Sequence, residues 1–88
     1  MEIREKYFCL DEYIKNVIAY IYDKNKPFTI TEIQHKFRIG YIRATKLVGW
    51  LEKYDIIKGN DCSSYVLNAS KEDIKLLLDR IEIFSNYW

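Results

Sequence analysis

The chain has 88 residues, 49% of them hydrophobic and 16% aromatic, which is enough apolar material for one small core and too little length for two. Its 14 Lys and Arg stand against 13 Asp and Glu, so no bulk positive charge marks it for nucleic acid and any such role must come from how the charges are distributed. No apolar run approaches the ~18 residues of a membrane span, and the opening MEIREKYFCLDEY is interrupted by charges, which predicts a soluble, cytoplasmic protein.

In chain order, the first periodic segment carries Ile14, Val17, Ile18 and Ile21 at i, i+3, i+4 and i+7, with Asp11 placed to cap it, and predicts a helix over residues 11–23. The break at residues 23–27 contains the sole proline, Pro27. Phe28, Thr29 and Ile30 then read as a minimal strand. Thr29 precedes Glu32 by three residues and Thr31 precedes Gln34 by three, so either register supplies a capping box for a short second helix that carries Ile33 and Phe37 inward.

That helix is expected to end at Arg38-Ile39-Gly40, with Gly40 taking the left-handed cap conformation that Arg38 or Ile39 would resist. A third helix starts near Tyr41 and turns Ala44, Leu47, Val48 and Leu51 to the core. Two helices joined by a tight glycine-containing corner form a helix-turn-helix unit. Ile56 to Lys58 and Ser64 to Leu67 read as strands around the turn residues Gly59, Asn60 and Asp61, so a β-hairpin follows the third helix. Ser70, three residues before Asp73, opens a fourth helix over about residues 70–85 with the stripe Ile74, Leu77, Leu78 and Ile81. The expected fold is mainly α with a small β-hairpin: one winged-helix domain spanning residues 1–88, with its core in 10–67 and an additional C-terminal helix.

In such a fold the exposed side of the third helix lies in the major groove. Here that side carries Ile42, Arg43, Lys46, Gly49, Trp50 and Lys53. Arg43 suits a bidentate contact with guanine, and Lys46 and Lys53 suit phosphates, as do Lys36 and Arg38 just before the corner. Lys58, Asn60 and Ser64 belong to the wing.

The run ITEIQHKFRIGYIRATKLVGWLEKYDIIKG, sharpest over residues 34–46, resembles the gamma domain of the bacterial DNA translocase FtsK and its sporulation relative, a winged helix that reads a short, G-rich, directional DNA motif and contacts a recombinase. The resemblance covers residues 10–67. It implies double-stranded DNA as partner and Arg38, Tyr41, Arg43 and Lys46 as contacting residues, with Gln34 and Lys36 nearby. The chain departs from that pattern at Ile42, which can touch a thymine methyl but cannot hydrogen-bond a base, and in the wing at residues 61–65, which carry no Arg or Lys. No phosphate-loop motif precedes the domain, so a free-standing relative or an excised fragment is expected.

The remaining features set the alternative. Leu76 and Ile83, seven apart, with Tyr87 and Trp88 beyond, would form an extra apolar edge on the fourth helix, suited to a homodimer or a protein partner unless the helix packs back on the first. Trp50 is a further candidate for such a surface. A protein-interaction module without DNA binding, using Trp50, Ile42 and the last helix, is therefore the competing reading. Cys9 and Cys62 lie far apart with only His35 as a further soft ligand, which predicts structural thiols in a reducing compartment, a surface histidine, and no metal site or cofactor. No paired carboxylates, nucleophile elbow or phosphate loop points to an enzyme or a small-molecule substrate.

Overall fold

The computed structural model describes residues 6–9, 11–60 and 63–83. The order is β1 (Tyr7–Cys9), α1 (Ile14–Lys24), β2 (Phe28–Thr29), α2 (Ile30–Phe37), α3 (Tyr41–Lys53), β3 (Ile57–Gly59), β4 (Ser64–Leu67), α4 (Lys71–Arg80) and β5 (Ile81–Ile83). The domain has four helices and a three-stranded antiparallel sheet in the order β2-β4-β3, and β1 and β5 form a separate two-stranded parallel sheet. Together they make a small α/β domain with a radius of gyration of 12.3 Å.

The predicted helical stripes supply the core. Ile14, Val17, Ile18 and Ile21 from α1, Ile33 from α2, Ala44, Leu47, Val48 and Leu51 from α3, and Ile74 and Leu77 from α4 are all buried. Between α2 and α3, Ala44 is fully buried, and its lack of bulk allows the two helices to approach closely. The strands add Phe28 and Ile57, and Phe28 packs 5.9 Å from the ring of its cross-strand neighbour Tyr65. In the hairpin, Lys58 pairs with Val66 and Gly59 with Tyr65, and the Asn60 N–H donates to the Ser64 carbonyl at 3.0 Å.

Four expectations need correction. First, α1 begins at Ile14, and Asp11 does not cap it. The Asp11 carboxylate instead accepts the Tyr13 N–H at 2.9 Å, and its carbonyl accepts the Ile14 N–H at 3.2 Å, closing a turn before the helix.

Second, the left-handed residue at the corner between α2 and α3 is Arg38, with φ 53° and ψ 47°. Gly40 has φ −70° and serves as the N-cap of α3, where an added Cβ would meet nothing within 4 Å. Closing the corner two residues earlier lets the Arg38 and Ile39 N–H groups both satisfy the Gln34 carbonyl and points Ile39 into the core. At the other end of α2, Thr29 is the N-cap, accepting the Glu32 N–H at 3.1 Å.

Third, the last helix stops at Arg80. Ile81 is already extended, at φ −82° and ψ 123°, and β5 runs parallel to β1 with Tyr7 opposite Ile81, Phe8 opposite Glu82 and Cys9 opposite Ile83. Ile81 is buried, and its spacing from Ile74 also fits a helix, which is why periodicity misassigned it. The backbone of β5 finds its partners in β1, and a Lys6–Glu82 ion pair of 2.9 Å flanks the ladder. Because Ile83 lies in a strand, it cannot continue a helical edge with Leu76.

Fourth, the core begins before residue 10: Tyr7 and Cys9 are 2% and 5% exposed. Tyr7 meets Trp50 edge-on at 6.2 Å and Tyr54 at 5.4 Å. α4 packs against α1, the arrangement expected if the last helix folds back.

Candidate nucleic-acid interface

With about 100° between successive residues, the centre of the face of α3 that points away from Ala44, Leu47, Val48 and Leu51 is occupied by Ile42, Lys46, Gly49 and Lys53. All four are exposed. Ile42, in the first turn, is 72% exposed, the highest value among the large hydrophobic residues of the described chain. Tyr41 and Arg43 lie about a quarter-turn to either side of this centre, and they meet different neighbours.

Tyr41, 57% exposed, faces the hairpin. It lines a depression of about 350 Å³ together with Thr29, Ile30, Thr31, Ser63 and Tyr65, so the start of α3 and the tip of the wing share one surface. Lys58 and Asn60 are exposed at the hairpin, whereas Ser64 is half-buried in β4 opposite Thr29. Residues 61 and 62 of the wing lie outside the described residues.

Arg43 reaches the other way. Its Nε donates to Asp11 Oδ2 at 2.8 Å and its Nη2 to Asp11 Oδ1 at 2.9 Å, a two-pronged fork, while its guanidinium carbon sits 4.5 Å from the centre of the Tyr13 ring. Burial pushes the Asp11 carboxyl up, but the Arg43 hydrogen bond, the Tyr13 N–H and the Arg43 charge together outweigh it and hold the group below the ordinary carboxylate range. The hydrogen bond to Asp11 raises Arg43 in turn. Sequence reading placed Arg43 correctly on α3 but could not find this partner, which stands 32 positions away.

The C-terminal half of α3 runs beside β1. Trp50 Nε1 donates to the Phe8 carbonyl at 2.8 Å, and its ring lies 4.8 Å from that of Tyr54, so this tryptophan is half-buried and tied to β1. Lys46 and Lys53 border the groove of about 440 Å³ between α3 and β1, with Phe8, Asp11, Trp50 and Tyr54 as further walls. Lys53 Nζ also sits 5.5 Å from the Tyr54 ring.

At the end of α2, Lys36 is exposed with its Nζ 5.4 Å from the Tyr20 ring, and Arg38 is exposed at the corner. Gln34 is half-buried and His35 exposed. Tyr20 and Lys24 both donate to the Glu32 carboxylate, pinning α1 to the start of α2. The bond to Glu32 raises the Tyr20 hydroxyl; burial raises Glu32, but the bonds from Lys24 and Tyr20 prevail and lower it.

The structure therefore gathers Arg38, Tyr41, Ile42, Lys46 and Lys53 along the exposed side of α2–α3 and its borders, and draws Arg43 to the flank. On the proposed partner surface, Leu76 is 45% exposed on α4, while Tyr87, Trp88 and the Ile83 side chain lie outside the described residues. Phe8, 48% exposed, is a further apolar residue that sequence reading passed over. Among the described residues no group of His, Cys, Asp and Glu is placed to hold a metal ion, and no helix is long and apolar enough to cross a membrane. The chain matches no protein-family model, and searches of curated proteins and of solved structures give no significant match.

Proposed function

We propose that this domain is a winged helix that binds double-stranded DNA, with the first turns of α3 in the major groove. The class rests on the element order α1-β2-α2-α3-β3-β4 and on the sheet order β2-β4-β3, in which the hairpin after α3 adds to the short strand before α2. The observation that carries the function is the exposed start of α3, where Ile42 and Lys46 project from the centre of the free face, Tyr41 borders the wing and Arg38 stands at the corner beside them. An apolar Ile42 in that place suits a thymine methyl, and Lys46, Lys53 and Arg38 suit flanking phosphates.

The likeness of residues 34–46 to the FtsK gamma domain points the same way and suggests a directional, G-rich target and a role beside a DNA-translocating or segregation machine. A protein-interaction role is the second reading, favoured by the exposed Phe8, Tyr41, Ile42 and Leu76. It loses one anchor, because Trp50 is held by β1.

Fluorescence anisotropy against a random duplex pool and a G-rich directional duplex, each over a salt series, tests the proposal. The expected result is a linear fall of log affinity with log salt, with Lys46→Ala reducing the slope by about one. Preference for the G-rich duplex would support the translocase-like reading. Absence of binding to either duplex at low salt would overturn DNA binding and leave the interaction reading.

A further inference from the structure

We infer that Asp11 is an internal competitor that holds Arg43 away from DNA and so lowers duplex affinity. This inference rests on the DNA-binding reading of α3 and deepens it.

The geometry is that of an occupied recognition fork. Arg43 presents Nε and Nη2 to two oxygens of one carboxylate at 2.8 and 2.9 Å, the same paired-acceptor pattern that guanine offers through O6 and N7 and that a phosphate offers through two of its oxygens. Asp11 is itself anchored, since Oδ1 also accepts the Tyr13 N–H, and the Tyr13 ring supports the guanidinium from one face at 4.5 Å. The Arg43 side chain is 43% exposed and that of Asp11 19%, so water and DNA reach the arginine while the carboxylate is held in place. The pair ties the turn before α1 to the first turn of α3.

Two consequences follow for recognition. A passing phosphate that offers a single oxygen gains less from Arg43 than the two-pronged carboxylate already supplies, so Arg43 contributes little to sequence-independent binding. A correctly placed guanine, or a phosphate presented squarely, matches the fork and can exchange with Asp11. Asp11 thereby lowers affinity for random DNA by the contact that Arg43 would otherwise make with a phosphate, and any site that recruits Arg43 must first release it from Asp11. Lys46 and Lys53, which border the groove between α3 and β1, carry the phosphate contacts instead.

Asp11→Asn is the discriminating change. It keeps an oxygen for the Tyr13 N–H and removes the charge that holds Arg43. Affinity for a random 20-base-pair duplex pool is read by anisotropy over a salt series for wild type, Asp11→Asn, Asp11→Ser and the double variant Asp11→Asn/Arg43→Ala, with each fold checked by circular dichroism.

The expected result is a gain of about three- to tenfold for Asp11→Asn at ~100 mM salt, a salt slope steeper by about one released counterion, and loss of that gain in the double variant. Asp11→Ser, which keeps a shorter acceptor for the turn, should show the same gain. Wild-type binding with no gain in either Asp11 variant, or a gain that survives removal of Arg43, overturns the competition while leaving DNA binding intact. Failure of all four proteins to bind at low salt overturns the DNA-binding reading and this inference with it.

Discussion

Replacing Tyr7 with alanine tests whether the parallel pair β1–β5 is part of the core or an ornament on it. Tyr7 is 2% exposed and packs edge-on against Trp50 and Tyr54 at 6.2 and 5.4 Å, so truncation removes a whole aromatic ring from a site that the ladder to Ile81 keeps from collapsing. Removal of a buried aromatic of this size costs about 3–5 kcal/mol, and the two edge contacts lie within that sum. Against the ~5–15 kcal/mol that holds a domain of this kind together, the loss is a large fraction.

Urea unfolding followed by circular dichroism gives the readout. With a slope near ~1 kcal/mol/M for a small domain, the midpoint should fall by roughly 3–5 M. Phe8→Ala is the internal control, because Phe8 points to the other side of the same strand and is 48% exposed; it should cost about 1 kcal/mol or less. Equal midpoints for the two variants, or a fall of under ~1 M for Tyr7→Ala, would refute the claim that β1 is built into the core.

Two further outcomes follow from the corner and from the charges. Arg38→Gly relieves a left-handed backbone at φ 53° and offsets the added chain entropy, so its stability should change by less than ~1 kcal/mol while duplex affinity falls. A large loss of stability would show that the Arg38 side chain is structural. Asp11 and Glu32 both have folded-state pKa values below their unfolded ones, so each contributes stability that is present above the unfolded value and lost as pH falls through the folded one. Melting temperature should therefore drop below about pH 4, and Glu32→Gln should flatten that drop; an unchanged acid limb in Glu32→Gln would refute the role of the Tyr20–Lys24–Glu32 contact.

The helical stripes, the Thr29 and Ser70 caps, the short strand at Phe28 and the hairpin were legible in the sequence because each depends on neighbours within about a turn or a tight loop. The exposed face of α3 was legible for the same reason, since periodicity alone separates Ile42, Lys46 and Lys53 from Ala44 and Leu47. The partners of the side chains at the edge of that face were not. Arg43 looked like a free reader of bases until Asp11 was brought beside it from 32 positions away, and Trp50 looked available until the Phe8 carbonyl met its indole N–H.

Local pattern also misjudged what several conformations could satisfy. Gly40 was the obvious residue for a left-handed corner, but placing that conformation at Arg38 lets two N–H groups reach the Gln34 carbonyl and buries Ile39, a gain set by packing around the corner. Ile81 fits both the α4 stripe and the β5 strand, and the decision fell to β1, a segment 74 residues earlier that offers it a ladder. The sequence by itself determined which faces are apolar and where the chain turns, because those follow from spacing and local hydrogen bonding. Tertiary structure decided which polar groups pair across those faces and which ambiguous segment becomes a strand, because both depend on groups that only folding brings within hydrogen-bonding distance.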